Sequence, residues 1–190
     1  MQEALVAGSS ATVDDDTAVR RAMTDRAAFA MLYLRYRDPV FRYLLRRAAS
    51  ADEAADLTAT TFERAIGRLP SYRGEGNGFA AWLFRIARNT AIDHARRQPR
   101  WRPLDLLRHD RASPEPSPER FVLDREAGVR LGMELRELTE IQRECLVLRY
   151  ASDLTVREIA AVIGKSEAAT QKQLNRGLAR LKEVYRGESR

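Results

Sequence analysis

VREIAAVIGKSEAATQKQLNRGLARL, residues 156–181, reads as helix, tight turn, helix, and this reading decides the fold class. Ile159, Ala160 and Ile163 recur at helical spacing and face inward from the first helix. The small Ala160 lets the second helix cross closely, and Gly164 stands where the turn needs a positive φ. Thr155 and Glu158 have capping-box spacing before the first helix, and Ser166 is the N-cap of the second. Residues 167–176 are thereby placed to enter a DNA major groove. Their polar members Gln171, Lys172, Gln173, Asn175 and Arg176 suit phosphate contacts and base-edge hydrogen bonds. The plainer alternative is a helical hairpin with a solvated polar face; capped helices around the Ala160, Gly164 and Ser166 spacing favour DNA binding.

Helical patterning continues on both sides. Leu174, Leu178, Leu181 and Tyr185 form a stripe after the turn. Thr139 with Gln142 predicts a capped helix through Arg149, and Leu131, Leu135 and Leu138 form a stripe before it. Upstream, residues 98–120 hold five of the seven prolines, and SPEPSPE (113–119) reads as an extended tether. Residues 17–97 are helical again. Phe29, Leu32, Tyr33 and Tyr36 make one stripe, and Asp38-Pro39 predicts the N-cap and first turn of a new helix bearing Val40, Phe41, Leu44 and Leu45. Ser50 and Glu53 open a further helix that Pro70 stops; the loop SYRGEGNG (71–78) follows, and then a stripe of Phe79, Trp82, Leu83, Ile86 and Ala87. Residues 1–16, small and acidic, are expected to be disordered. The expected fold is all-α: two small helical domains, 17–97 and 128–190, joined by a flexible proline-rich linker at 98–127, the second a helix-turn-helix.

Composition narrows the function. The 190 residues include 33 basic side chains, almost all Arg, against 27 acidic ones, for a net charge of +6. That mild excess hints at a polyanionic partner, and eight Arg against three Asp between 85 and 111 give it a local address. A single cysteine (Cys145) excludes a disulfide framework, and with only His94 and His109 beside it no structural zinc site is expected. Neither metal nor cofactor is expected. No apolar run approaches the roughly 18 residues of a membrane span, and the N-terminus lacks a secretory pattern. The expectation is a cytoplasmic protein. Asp93-His94 makes a poor acid–base pair, since adjacent helical residues point apart and no third partner is evident. Cys145, among Leu146, Val147 and Leu148, reads as a buried small hydrophobe.

Four blocks in series carry a resemblance: LYLRYRDPVFRYLLRR (32–47), DEAADLTATTFERA (52–65), FAAWLFRIARNTAIDHARR (79–97) and LTEIQRECLVLRYASDLTVREIAAVIGKSE (138–167). Together they resemble a sigma-70 family sigma factor of bacterial RNA polymerase, of the small extracytoplasmic-function type. The resemblance implies a protein that is not itself an enzyme, joins core polymerase and directs promoter recognition and opening. Its partners would be the clamp helices of the largest subunit and the flap region, promoter DNA and an anti-sigma factor. The linker would thread towards the active-site and RNA-exit path.

On this resemblance Asp56, Leu57, Thr61, Phe62 and Ala65 match the polymerase-binding block; Leu57, Phe62 and Ala65 suit a simple core equally well. Ala59-Thr60 departs from the Gln-Glu common in the family. Arg85, Arg88, Asn89, Asp93, Arg96 and Arg97 would meet the −10 element, Asn89 beside a loop that captures an unstacked base. Ser166, Glu167, Thr170, Gln171, Lys172, Gln173 and Arg176 would meet the −35 element. There Gln171 and Gln173 replace common basic residues, and Thr170 replaces a branched apolar one. This predicts weaker phosphate anchoring and an altered −35 preference. Among the aromatics, Phe79 and Trp82 read as core, whereas Phe84 and Tyr72 read as candidate exposed contacts. The main rival is a stand-alone helix-turn-helix regulator, against which the fit of residues 32–97 weighs.

Overall fold

The computed structural model describes residues 7–74, 77–97 and 138–187, with side chains between residues 15 and 183 of those spans. The 98–127 tether, Leu131 and Leu135 lie outside the described residues. Among the described residues there are seven α-helices and no strand. They are α1 (Ala7–Ala22), α2 (Arg26–Leu45), α3 (Ala51–Arg68), α4 (Gly78–Arg97), α5 (Glu140–Tyr150), α6 (Val156–Ile163) and α7 (Glu167–Gly187).

Two boundaries differ from the sequence reading. Helix α1 begins at Ala7, inside the stretch expected to be disordered. Its acidic run is held because Asp15 is buried, accepting bonds from Arg35 Nη1 at 2.5 Å and from the Tyr36 hydroxyl, while Val19 and Ala22 join the core. Helix α2 also runs unbroken through Asp38-Pro39, where a new helix was expected. An interior proline costs about 3 kcal/mol through its missing N–H and its clash with the preceding turn. Both halves of α2 offset that cost: Phe29 and Leu32 before Pro39, and Val40, Tyr43 and Leu44 after it, all bury on the core side. At about 1.5–3 kcal/mol per buried large side chain, burial outweighs the break.

The caps expected at Ser50, Thr139, Thr155 and Ser166 form, and Asp25 caps α2 where none was expected. Asp25 accepts from Ala27 N at 2.8 Å, and Ser50 from Glu53 N at 3.1 Å. Thr139/Gln142 and Thr155/Glu158 form complete capping boxes. Gly164 turns the chain at φ 68°, a conformation that costs any L residue with a Cβ about 1–2 kcal/mol. Pro70 ends α3 in a short 3₁₀ turn, Leu69–Ser71.

Helices α1–α4 pack as a bundle in which α2 lies on α1 and α3, and α4 on α1, α2 and α3. Helices α5–α7 form the helix-turn-helix unit, and α6 lies directly against α4. One apolar core therefore runs from Val19 through both units to Leu174. In the second unit α7 crosses α5 so closely that a Cβ on Gly177 would sit 3.2 Å from Leu146 Cδ1.

Because α4 is covered on more than one side, its buried stripe is broad. Phe84, expected to be exposed, is fully buried and packs edge-on to Tyr43 at 5.4 Å between ring centroids. Tyr72, expected to be exposed in the loop, is buried edge-on against Phe79 and Trp82 at 6.1 and 5.3 Å. Phe84→Ala is therefore expected to cost about 3–5 kcal/mol in urea denaturation; a loss below about 1 kcal/mol would match the exposed reading instead.

Candidate nucleic-acid interface

The first three turns of α7 divide cleanly. Ser166 is exposed, and its Oγ accepts from Ala169 N at 3.2 Å, which fixes the start of the helix. Glu167, Gln171, Lys172, Asn175 and Arg176 are exposed, and Gln173 is half-buried. Gln171 Nε2 donates to Asn175 Oδ1 at 2.8 Å, so two amides stand side by side on the wet face, one helical turn apart. Thr170, expected among the DNA contacts, is completely buried, and its hydroxyl donates back to Ser166 O at 3.0 Å. It lies four residues before the buried Leu174, on the packing stripe. In this structure Thr170 shapes the helix and presents nothing to a ligand.

Helix α4 supplies a second polar face. Arg85, Asn89 and Arg96 are exposed at i, i+4 and i+11, and Arg97 extends the face at the helix end. The two other expected residues are engaged. Asp93 accepts from Arg64 Nη1 at 3.0 Å, the same guanidinium reaching Thr90 at 3.2 Å. Arg88 is half-buried, with Nε 3.7 Å from Glu144 Oε1. The accessible part is thus a stripe of cations around one amide, suited to phosphates flanking a single recognised base.

The polymerase-binding block on α3 is mostly interior. Leu57, Thr61, Phe62 and Ala65 are buried, with Phe62 edge-on to Phe29 and Tyr33. Of the five expected residues Asp56 alone is exposed; Asp52, Ala59 and Glu63 share its face, four residues before it and three and seven after it. The surface at this block is therefore acidic, with Ala59 at the position where the sequence departs from the resembled pattern.

A cluster not anticipated from sequence lies where the two units meet. Glu144 of α5 is buried against the first unit. Its Oε1 accepts from the Tyr43 hydroxyl at 2.7 Å, and its Oε2 pairs with Arg47 Nη2. The Arg47 guanidinium also lies over the Tyr43 ring at 4.3 Å. A cavity of about 260 Å³ opens beside them, bordered by Arg88, Ile92, Arg96 and Glu140. Arg157 Nε donates to Asn77 Oδ1 at 3.3 Å across the same boundary. Tyr43 and Arg47 share a face at i, i+4, but sequence gives no sign that the acid they meet lies a hundred residues away.

Cys145 is fully buried, and burial pushes its thiol up to about 11, so it stays protonated and inert. No group of His, Cys, Asp and Glu able to hold a metal occurs among the described residues. None of their helices is long and apolar enough to cross a membrane.

Comparison with known proteins matches two family models in the order of the two units. Residues 32–101 match Sigma-70 region 2, and residues 129–181 match Sigma-70, region 4. The chain is 38% identical over 180 residues to the ECF RNA polymerase sigma factor BldN of Streptomyces coelicolor, covering 88% of this chain and 67% of that protein. The fold is like that of CnrH in complex with the cytosolic domain of CnrY, with a TM-score of 0.66 at 23% identity, over 91% of this chain and 97% of that one. It is also like the sigma factor RpoE of Bartonella quintana in complex with the anti-sigma factor NepR, at TM-score 0.61 and 21% identity, over 83% and 96% of the two chains.

Helices α3 and α4 are pinned beside the candidate −10 face by His94 Nε2 and Glu53 Oε1, 2.5 Å apart. Partial burial pushes the Glu53 carboxyl up, but the Ala49 N–H, His94 and the Ser50 N–H together outweigh it and hold the carboxyl below its ordinary 4.5. A carboxyl depressed by folding stabilises the fold above its unfolded value, and that contribution is lost as pH falls through the folded value. Glu53→Gln is expected to flatten the fall in thermal stability between about pH 5 and pH 3. An unchanged acid profile would show that the pair contributes nothing.

Proposed function

Because the chain belongs to the extracytoplasmic-function group of the sigma-70 family, we propose that its two helical units divide promoter recognition between them. The protein is an RNA polymerase sigma factor acting in promoter-specific transcription initiation. On our reading α1–α4 engage core polymerase and the −10 element, and α5–α7 engage the −35 element. The observation that carries this is the pair of exposed cation-and-amide faces, one on each unit: Arg85, Asn89 and Arg96 on α4, and Gln171, Lys172, Asn175 and Arg176 on α7.

The exposed acidic face of α3, with Asp56 at its centre, is the part we assign to the polymerase clamp helices. The buried Leu57, Thr61, Phe62 and Ala65 support that face from beneath. Asn89 is assigned to an unstacked base, for which an amide offers both donor and acceptor, while Arg85, Arg96 and Arg97 follow the phosphates. Arg88 can join them only once it leaves Glu144. Asp93, paired to Arg64, is assigned to holding α4 in place. On α7 the side-by-side amides of Gln171 and Asn175 suit adenine edges, and Lys172 and Arg176 suit phosphates. The protein is expected to act in the cytoplasm without catalysing a reaction, and an anti-sigma factor is a further expected partner.

The test is reconstitution with core polymerase on candidate promoters. The chain should co-elute with core enzyme and yield promoter-dependent transcripts. Asn89→Ala is expected to lower promoter opening, read by permanganate reactivity, about tenfold while leaving duplex binding within about twofold. Arg176→Ala should instead weaken −35 binding and reduce its salt slope by about one. A chain that neither joins core enzyme nor supports a promoter-dependent transcript would overturn the assignment and favour a stand-alone regulator.

A further inference from the structure

Gln171 and Asn175 stand on the wet face of α7 with their side-chain amides tied to one another, Gln171 Nε2 donating to Asn175 Oδ1 at 2.8 Å. The helix beneath them is fixed in rotation. Thr170 and Leu174, each one position before them, are buried on the packing stripe, and Gly177 lets α7 lie close on α5. The Ser166 cap holds the first turn. Two exposed amides are therefore linked head to head on a rigid support.

The tie divides their hydrogen-bonding groups unequally. A carboxamide offers two N–H donors and one acceptor oxygen. Gln171 gives one N–H to Asn175 and keeps Oε1 and the second N–H, the acceptor and donor that match N6–H and N7 of adenine in the major groove. Asn175 commits its oxygen to Gln171, which leaves the Nδ2 amine, a donor alone, as its free end. A donor fits guanine O6 and N7 or thymine O4. It finds no acceptor on cytosine, which offers only its N4 amine there. The two head groups meet at 2.8 Å, close to the 3.4 Å between successive base pairs, so they suit neighbouring steps. The tie also orders both side chains in advance, which lowers the rotamer freedom lost on binding.

We propose that Gln171 and Asn175 act as one composite reader of two adjacent base pairs in the −35 element. Gln171 takes adenine, and Asn175 takes guanine or thymine, but not cytosine, at the next step on the same strand. The proposal rests on the assignment of α7 to the −35 element. Two untied amides would each take adenine, since Asn and Gln share the same bidentate pairing. The tie is what makes the second step differ. Lys172 and Arg176, the next exposed positions round the helix, take the phosphates. Asn175→Asp keeps an oxygen to hold Gln171 but exchanges the donor for a second acceptor, which suits the cytosine amine. Asn175→Ala unties Gln171 and leaves its amide unaltered.

The experiment selects bound promoters from a library randomised through the −35 element, using the full chain with core polymerase. The wild-type complex should enrich adenine beside guanine or thymine, and deplete cytosine, at one pair of adjacent positions. Replacing that adenine by 7-deazaadenine, or by purine without the 6-amino group, should each weaken promoter binding about tenfold. Asn175→Asp should keep the adenine and shift its neighbour to cytosine. Asn175→Ala should lose the neighbour's preference and cut discrimination for adenine by about threefold or more. Adenine at both positions with the wild-type chain would overturn the composite reader and show two independent amides. So would an Asn175→Ala chain with full adenine discrimination, or an Asn175→Asp chain that keeps the wild-type neighbour. Binding indifferent to every base of the −35 element would overturn the assignment of α7 together with the reader, whereas selection of a −35 motif without this pair would overturn the reader alone.

Discussion

Helix α4 is covered by α1, α2 and α3 from one side and by α6 from another, while a third side stays in water. That division governs the rest of the molecule. The buried sides make one continuous core out of two sequence-distant units, and the wet side presents Arg85, Asn89 and Arg96 on a rigid support. The base capture proposed for Asn89 needs such a support, because extruding a base costs a few kcal/mol that a mobile side chain would not offset. The ties of Arg64 to Thr90 and Asp93, and of Glu53 to His94, serve the same end by fixing α4 to α3.

The helix-turn-helix unit solves a comparable problem with fewer residues. Its turn depends on one left-handed glycine, its close crossing on another where a Cβ would press on Leu146, and its helix starts on three hydroxyl caps. Thr170 illustrates the economy. It occupies a packing position, returns its hydroxyl to the backbone and thereby leaves the exposed face to the residues one position further round the helix.

Much of this was legible in the sequence. The caps marked by capping-box spacing, at Ser50, Thr139 and Thr155, all formed, because capping is a local bargain between a side chain and the backbone three residues on. The helix-turn-helix and the exposed amide and basic residues of α7 were legible for the same reason: they follow from period and position. What sequence missed depended on distance. Asp38-Pro39 looked like a helix start because the local signal was real, but burial of Val40, Tyr43 and Leu44 overrode it. Phe84 falls off the single apolar stripe of the sequence, yet it is buried because the helix is covered on more than one side. The Glu144 cluster was invisible because Tyr43 and Arg47 gain their meaning only from a residue a hundred positions away.

The central claim is that one chain reads two separated stretches of promoter through two different helices. Footprinting of the chain with core polymerase on a promoter it initiates from tests this most directly. The account predicts two protected stretches centred about 25 base pairs apart, with permanganate-reactive thymines only at the downstream one, and no such pattern from the chain alone. A single short footprint of equal strength with and without polymerase, and no reactive thymines, would contradict it.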